Sequence, residues 1–186
     1  MRQNGYSNIN IINKELNVMK KTGIFYAINT KKTNLIGKEI QEAFGENKPD
    51  IIPLEEASTQ NFENYDNLVL GVSTWFDGEL PSYWDELLPE IENLKMKGKK
   101  VAIFGLGDQV GYPENFVDGI GILANLFERN GSTIVGYTLP DEYEFEKSLA
   151  LREGKFLGLV LDEENQKDLT SSRILAWVKN LKKEFS

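Results

Sequence analysis

Residues 67–72 read NLVLGV, an apolar run without a charged side chain, and this run decides the fold prediction. An unbroken apolar strand is typical of a parallel sheet, in which both faces are buried. A similar run, KVAIF, occupies residues 100–104, and residues 84–94 between the two are predicted to form a helix. A strand, a helix and a second strand in this order indicate a parallel sheet covered by helices.

The alternation continues on the N-terminal side of this unit. We expect a strand at residues 23–28, a helix at 33–44 and a short strand at 50–54. Apolar side chains fall on one face of that helix: Leu35, Ile36, Ile40 and Ala43. Both strands are expected to join the same sheet.

The C-terminal half repeats the pattern. A helix is expected at residues 114–127, a strand that starts at 132–137 and resumes at 156–161, and a closing helix at 170–185. The inward stripes of the two helices are Phe116, Ile120, Leu123 and Phe127, and Ile174, Trp177, Val178 and Leu181. The chain is therefore predicted to be an α/β protein with a doubly wound, five-stranded parallel sheet in three α/β/α layers.

Composition limits the chemistry that the chain can perform. With 186 residues, one domain is expected. The absence of cysteine and histidine excludes disulfides, thiolate nucleophiles, imidazole bases and zinc sites built from those residues. The formal net charge of −8 argues against nucleic acid and anionic membranes as partners, and favours a basic protein surface.

The first 21 residues differ from the rest of the chain. They contain four basic residues, one acidic residue and no apolar segment long enough for a signal peptide. Since the whole chain carries −8 and this segment +3, residues 22–186 carry −11. We interpret residues 1–21 as a flexible N-terminal extension and residues 22–186 as the folded domain.

Ligands of such sheets bind beyond the carboxyl ends of the strands, so the loops there form the candidate site. The first of these loops leads into a helix. It comprises Ile28, Asn29, Thr30, Lys31, Lys32 and Thr33. Backbone N–H groups, threonine hydroxyls and the helix dipole favour an anion such as phosphate. The alternative is an ordinary helix start with Thr33 as the N-cap.

The second loop carries two large aromatic side chains beside a glycine. It comprises Ser73, Thr74, Trp75, Phe76, Asp77, Gly78, Glu79 and Leu80. Aromatic side chains in a loop indicate a planar ligand that stacks on them, whereas the alternative is that Trp75 packs in the core. The third loop, residues 105–116, is rich in glycine and carries Tyr112. All three loops are expected at one edge of the sheet.

Together the three loops resemble the flavodoxin family. The segments STWFDGE at residues 73–79, GLGDQVGYPENF at 105–116 and GKFLGLVLDEENQ at 154–166 are similar to long-chain flavodoxins, most of all those of cyanobacteria and algae. The resemblance covers about residues 21–185, and the segment 137–156 is similar to the insertion of the long-chain group. It implies the flavodoxin-like strand order 2-1-3-4-5, non-covalently bound flavin mononucleotide (FMN) and one-electron transfer at low potential.

By position, the resemblance implies that Trp75 and Tyr112 stack on opposite faces of the flavin ring. Backbone contacts around the ring would come from the second and third loops, with Asn115 close by. The residues that would make these contacts are Thr74, Phe76, Gly78, Leu106, Gly107 and Asp108. The peptide between Phe76 and Asp77 would turn its carbonyl towards flavin N5.

The first loop departs from the family pattern Thr/Ser-x-Thr-Gly-x-Thr. Ile28 replaces a hydroxyl residue and Lys31 replaces the glycine, whereas Thr30 and Thr33 keep their places. The missing hydroxyl bond to phosphate is worth about 1–3 kcal/mol, and the added positive charge of Lys31 partly offsets the loss. We therefore expect FMN to bind more weakly, and with greater salt dependence, than in members with the full motif.

The resemblance implies a cytoplasmic, monomeric electron carrier that substitutes for ferredoxin and is not an enzyme. Its partners would be redox proteins with basic patches, namely ferredoxin-NADP reductase, photosystem I and nitrogenase.

One alternative is a binding module that has lost FMN through the altered first loop. A quinone reductase on the same fold is disfavoured because no nicotinamide-binding segment is present. A receiver domain is excluded, because the third strand ends in Val72, Ser73 and Thr74, without the aspartate that such a domain phosphorylates.

Overall fold

The computed structural model describes residues 21–186, and its centre is a parallel sheet. Its strands are β1 (Thr22–Tyr26), β2 (Asp50–Pro53), β3 (Asn67–Ser73), β4 (Lys100–Leu106) and β5 (Thr133–Val135). In space they follow the order β2-β1-β3-β4-β5, and all four neighbouring pairs are parallel. The doubly wound sheet with strand order 2-1-3-4-5 is thereby confirmed. The predicted N-terminal extension lies outside the described residues, except for Lys21.

The fifth strand position is filled by two separate pieces of chain. β5 pairs with the first half of β4, and β8 (Leu159–Leu161) pairs with its second half. Between them the chain leaves the sheet and forms a short antiparallel hairpin of β6 (Leu151–Arg152) and β7 (Lys155–Phe156). The predicted interruption of strand five is therefore present. The resumed strand is shorter than predicted, because Phe156 pairs in the hairpin and not in the main sheet.

The helices are α1 (Lys31–Ala43), α2 (Thr59–Glu63), α3 (Ser82–Asp85), α4 (Leu88–Ile91), α5 (Asp118–Arg129) and α6 (Thr170–Glu184). Two clusters of buried apolar side chains lie on opposite faces of the sheet. One contains buried side chains of α1 and α6, and the other contains those of α2 to α5. This arrangement is the predicted three-layer α/β/α architecture. None of the helices within residues 21–186 is long and apolar enough to cross a bilayer.

The helix predicted at residues 84–94 is wrong as a single element. The structure divides this region into α3, which ends at Asp85, and α4, which has Pro89 in its first turn. A proline inside a helix lacks the N–H donor and its ring clashes with the carbonyl four residues earlier, which here belongs to Asp85. The chain therefore ends one helix and starts another.

Two further helix predictions need correction. α1 begins at Lys31, so Thr30 and not Thr33 occupies the N-cap position, and Leu35 is exposed while Ile36 and Ile40 are buried. Leu35 lies outside the stripe that packs on the sheet. α5 begins at Asp118 and not at residue 114, because residues Pro113–Asn115 form a 3-10 turn. Phe116 is nevertheless buried, against aromatic rings of the inserted segment.

A buried hydroxyl in β1 gives a test of the packing. Tyr26 is fully buried, and its hydroxyl has no hydrogen-bond partner among the described residues. Because an unsatisfied buried hydroxyl is unfavourable, Tyr26→Phe is expected to raise the free energy of unfolding by about 0–2 kcal/mol. Chemical denaturation measures this change.

The matched control is Tyr65→Phe, which removes a hydroxyl that donates to Asp50 at 2.9 Å. That change is expected to lower the free energy of unfolding by about 0.5–1.5 kcal/mol. An equal loss of stability in both variants would contradict the assignment of Tyr26 as unsatisfied.

Candidate functional site

The three loops meet in one cleft of about 400 Å³ at the carboxyl ends of β1, β3 and β4. Most of the predicted site residues line it: Thr30, Lys31, Lys32, Thr33, Ser73, Thr74, Trp75, Leu106, Gly107, Asp108 and Tyr112. Two residues that the sequence did not indicate, Glu163 and Glu164, complete the lining. The volume is within the range of small-molecule sites.

Six predicted residues do not line the cleft: Ile28, Asn29, Phe76, Asp77, Gly78 and Asn115. The first two precede the lining part of the first loop, and the next three form the tip of the second. Asn115 donates a hydrogen bond to Asp118 at 3.2 Å and lies against Gly78. It supports the second loop from behind and does not reach the cleft.

The first end of the cleft is the N-terminus of α1. The first-turn N–H groups of Lys31, Lys32 and Thr33 have no intrahelical acceptor, and the Thr30 side chain does not cap them. The Thr30 hydroxyl donates instead to the Ala27 carbonyl at 2.8 Å, which folds the loop back on itself. Free N–H groups at a helix start, next to the side chain of Thr33, can bind an anion.

Charges at this end of the cleft are mixed. Lys32 forms an ion pair with Glu164 across the cleft, and Glu163 accepts a hydrogen bond from Thr170. Both glutamates lie two and three residues beyond the end of β8, whose carboxyl end reaches the same edge of the sheet as that of β4. Their position after the carboxyl end of a strand is the feature of the sequence that could have indicated them as site residues. Among residues 21–186, no acidic side chains are grouped so that they could hold a metal ion.

The second loop forms a tight turn that presents Trp75. Trp75 and Glu79 exchange backbone hydrogen bonds of 2.9 and 2.8 Å, and between them Phe76 and Gly78 have positive φ angles of 43° and 93°. Trp75 is 38% exposed, and its ring makes edge-to-face contacts with the rings of Phe76 and Tyr83. Core packing of Trp75, the alternative interpretation of this loop, is therefore wrong.

The third loop is ordered by the carboxylate of Asp108. It accepts hydrogen bonds from the N–H groups of Gly111 at 2.8 Å and Val110 at 3.1 Å, and from the Asn165 side chain at 2.8 Å. The Gly111 N–H is the main reason that the pKa of Asp108 lies below its ordinary value. The support that this carboxylate gives the loop is therefore present above its ordinary pKa, and is lost as the pH falls through the lowered value. Tyr112 follows this turn and is 58% exposed.

A buried carboxylate joins the third loop to the end of β8. Asp162 has no exposed surface and accepts hydrogen bonds from Gln109, Glu164 and Asn165. Gln109 in turn accepts from the Glu144 N–H at 2.6 Å, which attaches the inserted segment. The far wall of the cleft is therefore fixed by a residue that the sequence did not mark.

The geometry suits a ligand with a flat ring and an anionic tail. Trp75 and Tyr112 offer two aromatic side chains from different loops, and the tail would reach the N–H groups at the start of α1. The cleft lining has hydroxyl, amide and carboxylate groups, but neither histidine nor cysteine.

Comparison with known proteins gives consistent results. The family model described as Flavodoxin matches residues 24–177. A flavodoxin of Nostoc sp. is 45% identical over 166 residues, which are 89% of this chain and 98% of that protein. Flavodoxin 1 of Escherichia coli is 40% identical over 168 residues, 90% of this chain and 96% of that protein. The crystal structure of Fusobacterium nucleatum flavodoxin bound to flavin mononucleotide is 38% identical, with a TM-score of 0.86, and the match covers 90% of this chain and 100% of that one.

Proposed function

The chain belongs to the flavodoxin family, and on that premise we propose that it transfers single electrons between redox proteins with non-covalently bound FMN as its cofactor. When bound, FMN supplies the one-electron chemistry. The observation that carries the proposal is the cleft itself, in which exposed Trp75 and Tyr112 line one part and the uncapped start of α1 lines the other.

The residues present fit FMN. The phosphate would accept hydrogen bonds from the N–H groups of Lys31, Lys32 and Thr33, with the Thr33 side chain beside it. The ring would lie between Trp75 and Tyr112, which exclude water from its two faces. These contacts orient the cofactor without any covalent bond.

The second loop could also accept a hydrogen bond from a protonated nitrogen of the flavin ring. Phe76 and Gly78 both have positive φ angles, and the peptide between Phe76 and Asp77 lies at the tip of the turn that Trp75 and Glu79 close. The Phe76 carbonyl is the acceptor that we propose for a hydrogen bond from flavin N5. Asp77 lies at the tip of this turn and Glu79 at its end, and their negative charge would disfavour a further negative charge on the ring.

The proposed partners are redox proteins with basic surfaces, in the role of a ferredoxin substitute. Asp77, Glu79 and Glu164 are exposed carboxylates around the cleft, and they would steer a basic patch towards it. Ferredoxin-NADP reductase, photosystem I and nitrogenase are partners of this class. A cytoplasmic monomer suits this role, and the missing nicotinamide-binding segment favours a carrier over a quinone reductase.

One observation favours a second candidate. Ile28 and Lys31 alter the first loop, and a chain that had lost FMN by these changes would act only as a binding module. The exposed Trp75 and Tyr112 argue for the carrier, because two exposed aromatic side chains would have no function in a site that no longer binds FMN.

Titration of the apoprotein with FMN tests the choice. Binding is expected to change the flavin absorption bands and to quench flavin fluorescence, with a dissociation constant that rises between about 10 mM and about 1 M salt. The salt effect follows from the charge of the phosphate and of the lysines near it. Absence of binding at both salt concentrations would remove the carrier and leave the binding module.

A further inference from the structure

We propose that Glu55 is an internal anion that competes with the FMN phosphate for the first loop and weakens cofactor binding in this chain. The inference rests on the proposed function, because it concerns the affinity of the same site. Glu55 was not among the residues that the sequence indicated, and it does not line the cleft.

The position of Glu55 follows from the sheet. β1 and β2 run parallel, and their last paired residues are Tyr26 and Pro53. The 3-10 turn Leu54–Glu56 directly follows β2, so it lies beside the loop that follows β1. Two segments that are about 27 residues apart in the sequence therefore meet at the carboxyl edge of the sheet.

The carboxylate of Glu55 binds two successive backbone donors of the first loop. Its Oε1 accepts from the Asn29 N–H at 3.1 Å, and its Oε2 accepts from the Ile28 N–H at 3.3 Å. Successive backbone N–H groups that converge on one acceptor are a typical arrangement for anion binding in proteins. Here the anion belongs to the protein, so these two donors are already used.

This occupation adds to the change at Ile28. The loop lacks the hydroxyl that the family pattern would place there, and the N–H groups of its first two residues are directed to Glu55. The donors that remain for a phosphate are those at the start of α1. The first half of the loop therefore contributes less than a loop whose donors are all free.

The charge of Glu55 acts in the same direction. A phosphate monoester carries about −1.5 to −2 charges at neutral pH. The carboxylates of Glu163 and Glu164 line the cleft, and that of Glu55 is held on the first loop beside it, while Lys32 is paired with Glu164. Lys31 is then the lysine of this loop without an ion pair among the described residues. Removal of the Glu55 charge would lower the repulsion of the dianion.

The experiment compares FMN with riboflavin, which has the same ring but no phosphate. Wild-type apoprotein and the variants Glu55→Gln and Glu55→Ala are titrated with both flavins at about 10 mM and about 1 M salt. Both variants are expected to lower the dissociation constant for FMN about three- to tenfold at low salt, and less at high salt. The dissociation constant for riboflavin is expected to stay within about twofold.

The matched control is Glu56→Gln, which removes the same charge from the next residue. Glu56 is also exposed, and it makes no hydrogen bond to the loop within residues 21–186. Its effect on FMN binding is expected to be below about twofold. Glu55 is exposed as well, so neither of its substitutions disturbs the core.

The outcomes separate this inference from the proposed function. Weaker FMN binding in the Glu55 variants would overturn the inference, because it would mean that Glu55 holds the loop in its binding shape. Unchanged FMN binding, or an equal change for riboflavin, would overturn it too, and in each of these cases the protein would still bind FMN. Failure of wild type and variants alike to bind FMN would overturn the proposed function together with the inference.

Discussion

Asp162→Ala is expected to lower the free energy of unfolding of the apoprotein by about 3–5 kcal/mol, the largest effect that we expect from a single polar side chain. The Asp162 carboxylate has no exposed surface and accepts hydrogen bonds from two donors of Gln109, two of Asn165 and the N–H of Glu164. Alanine would remove this acceptor from all five donors, and the two donors of Gln109 are buried. Each unsatisfied buried donor costs about 1–3 kcal/mol, although the loop would relax and recover part of the loss.

Urea denaturation of the apoprotein measures this effect without a contribution from cofactor binding. Asp168→Ala is the matched control, because it makes the same change on an exposed carboxylate of the same connection. It is expected to change the free energy of unfolding by less than about 0.5 kcal/mol. A loss below about 1 kcal/mol for Asp162→Ala would show that its hydrogen bonds add little to stability.

Asp162 also decides the shape of the cleft. Gln109 lies in the third loop next to Asp108, and Asn165 donates to both Asp108 and Asp162. The same carboxylate therefore holds the wall that carries Tyr112 and the glutamates that follow β8. Stability and the shape of this wall of the cleft therefore both depend on one buried group at this edge of the sheet.

The sheet could be predicted from the sequence because its strands are unbroken apolar runs. Residues 67–72 and 100–104 lie within β3 and β4, which pair along their whole length at the centre of the sheet. Helix boundaries were less predictable, because they depend on single residues. Pro89 divides a predicted helix, and the positive φ of Val117 delays the start of α5. Leu35 is apolar, yet it faces solvent because the buried face of α1 is defined by its contacts with the sheet and with α6.

The loops of the site could also be predicted, since each follows a strand at the same edge of the sheet. Side chains that reach the site from other segments could not. Glu55 meets the first loop only because β1 and β2 are neighbours, and Glu164 meets Lys32 only because β8 continues beside β4. Neither residue belongs to a local motif. Such contacts join segments that are distant in sequence. They give this cleft a charge distribution that the sequences of its three loops do not predict.

Trp75→Ala is expected to weaken FMN binding about 10- to 100-fold. The indole is 38% exposed and lines the cleft, so its proposed contribution is the stacking contact with the flavin ring. Alanine substitution at aromatic stacking platforms for nucleobases, which are planar like the flavin, costs about 1–3 kcal/mol. Fluorescence titration of the variant apoprotein with FMN measures the change.

Riboflavin and a neighbouring residue make this result specific. Because the indole is proposed to stack on the ring and not to contact the phosphate, Trp75→Ala is expected to weaken riboflavin binding by the same factor as FMN binding, unlike the substitutions of Glu55. Phe76→Ala removes an aromatic side chain that is 73% exposed and does not line the cleft, so it is expected to change either affinity by less than about threefold. If Phe76→Ala had the larger effect, the ring would stack on the tip of the second loop, and the cleft between Trp75 and Tyr112 would not be the flavin site.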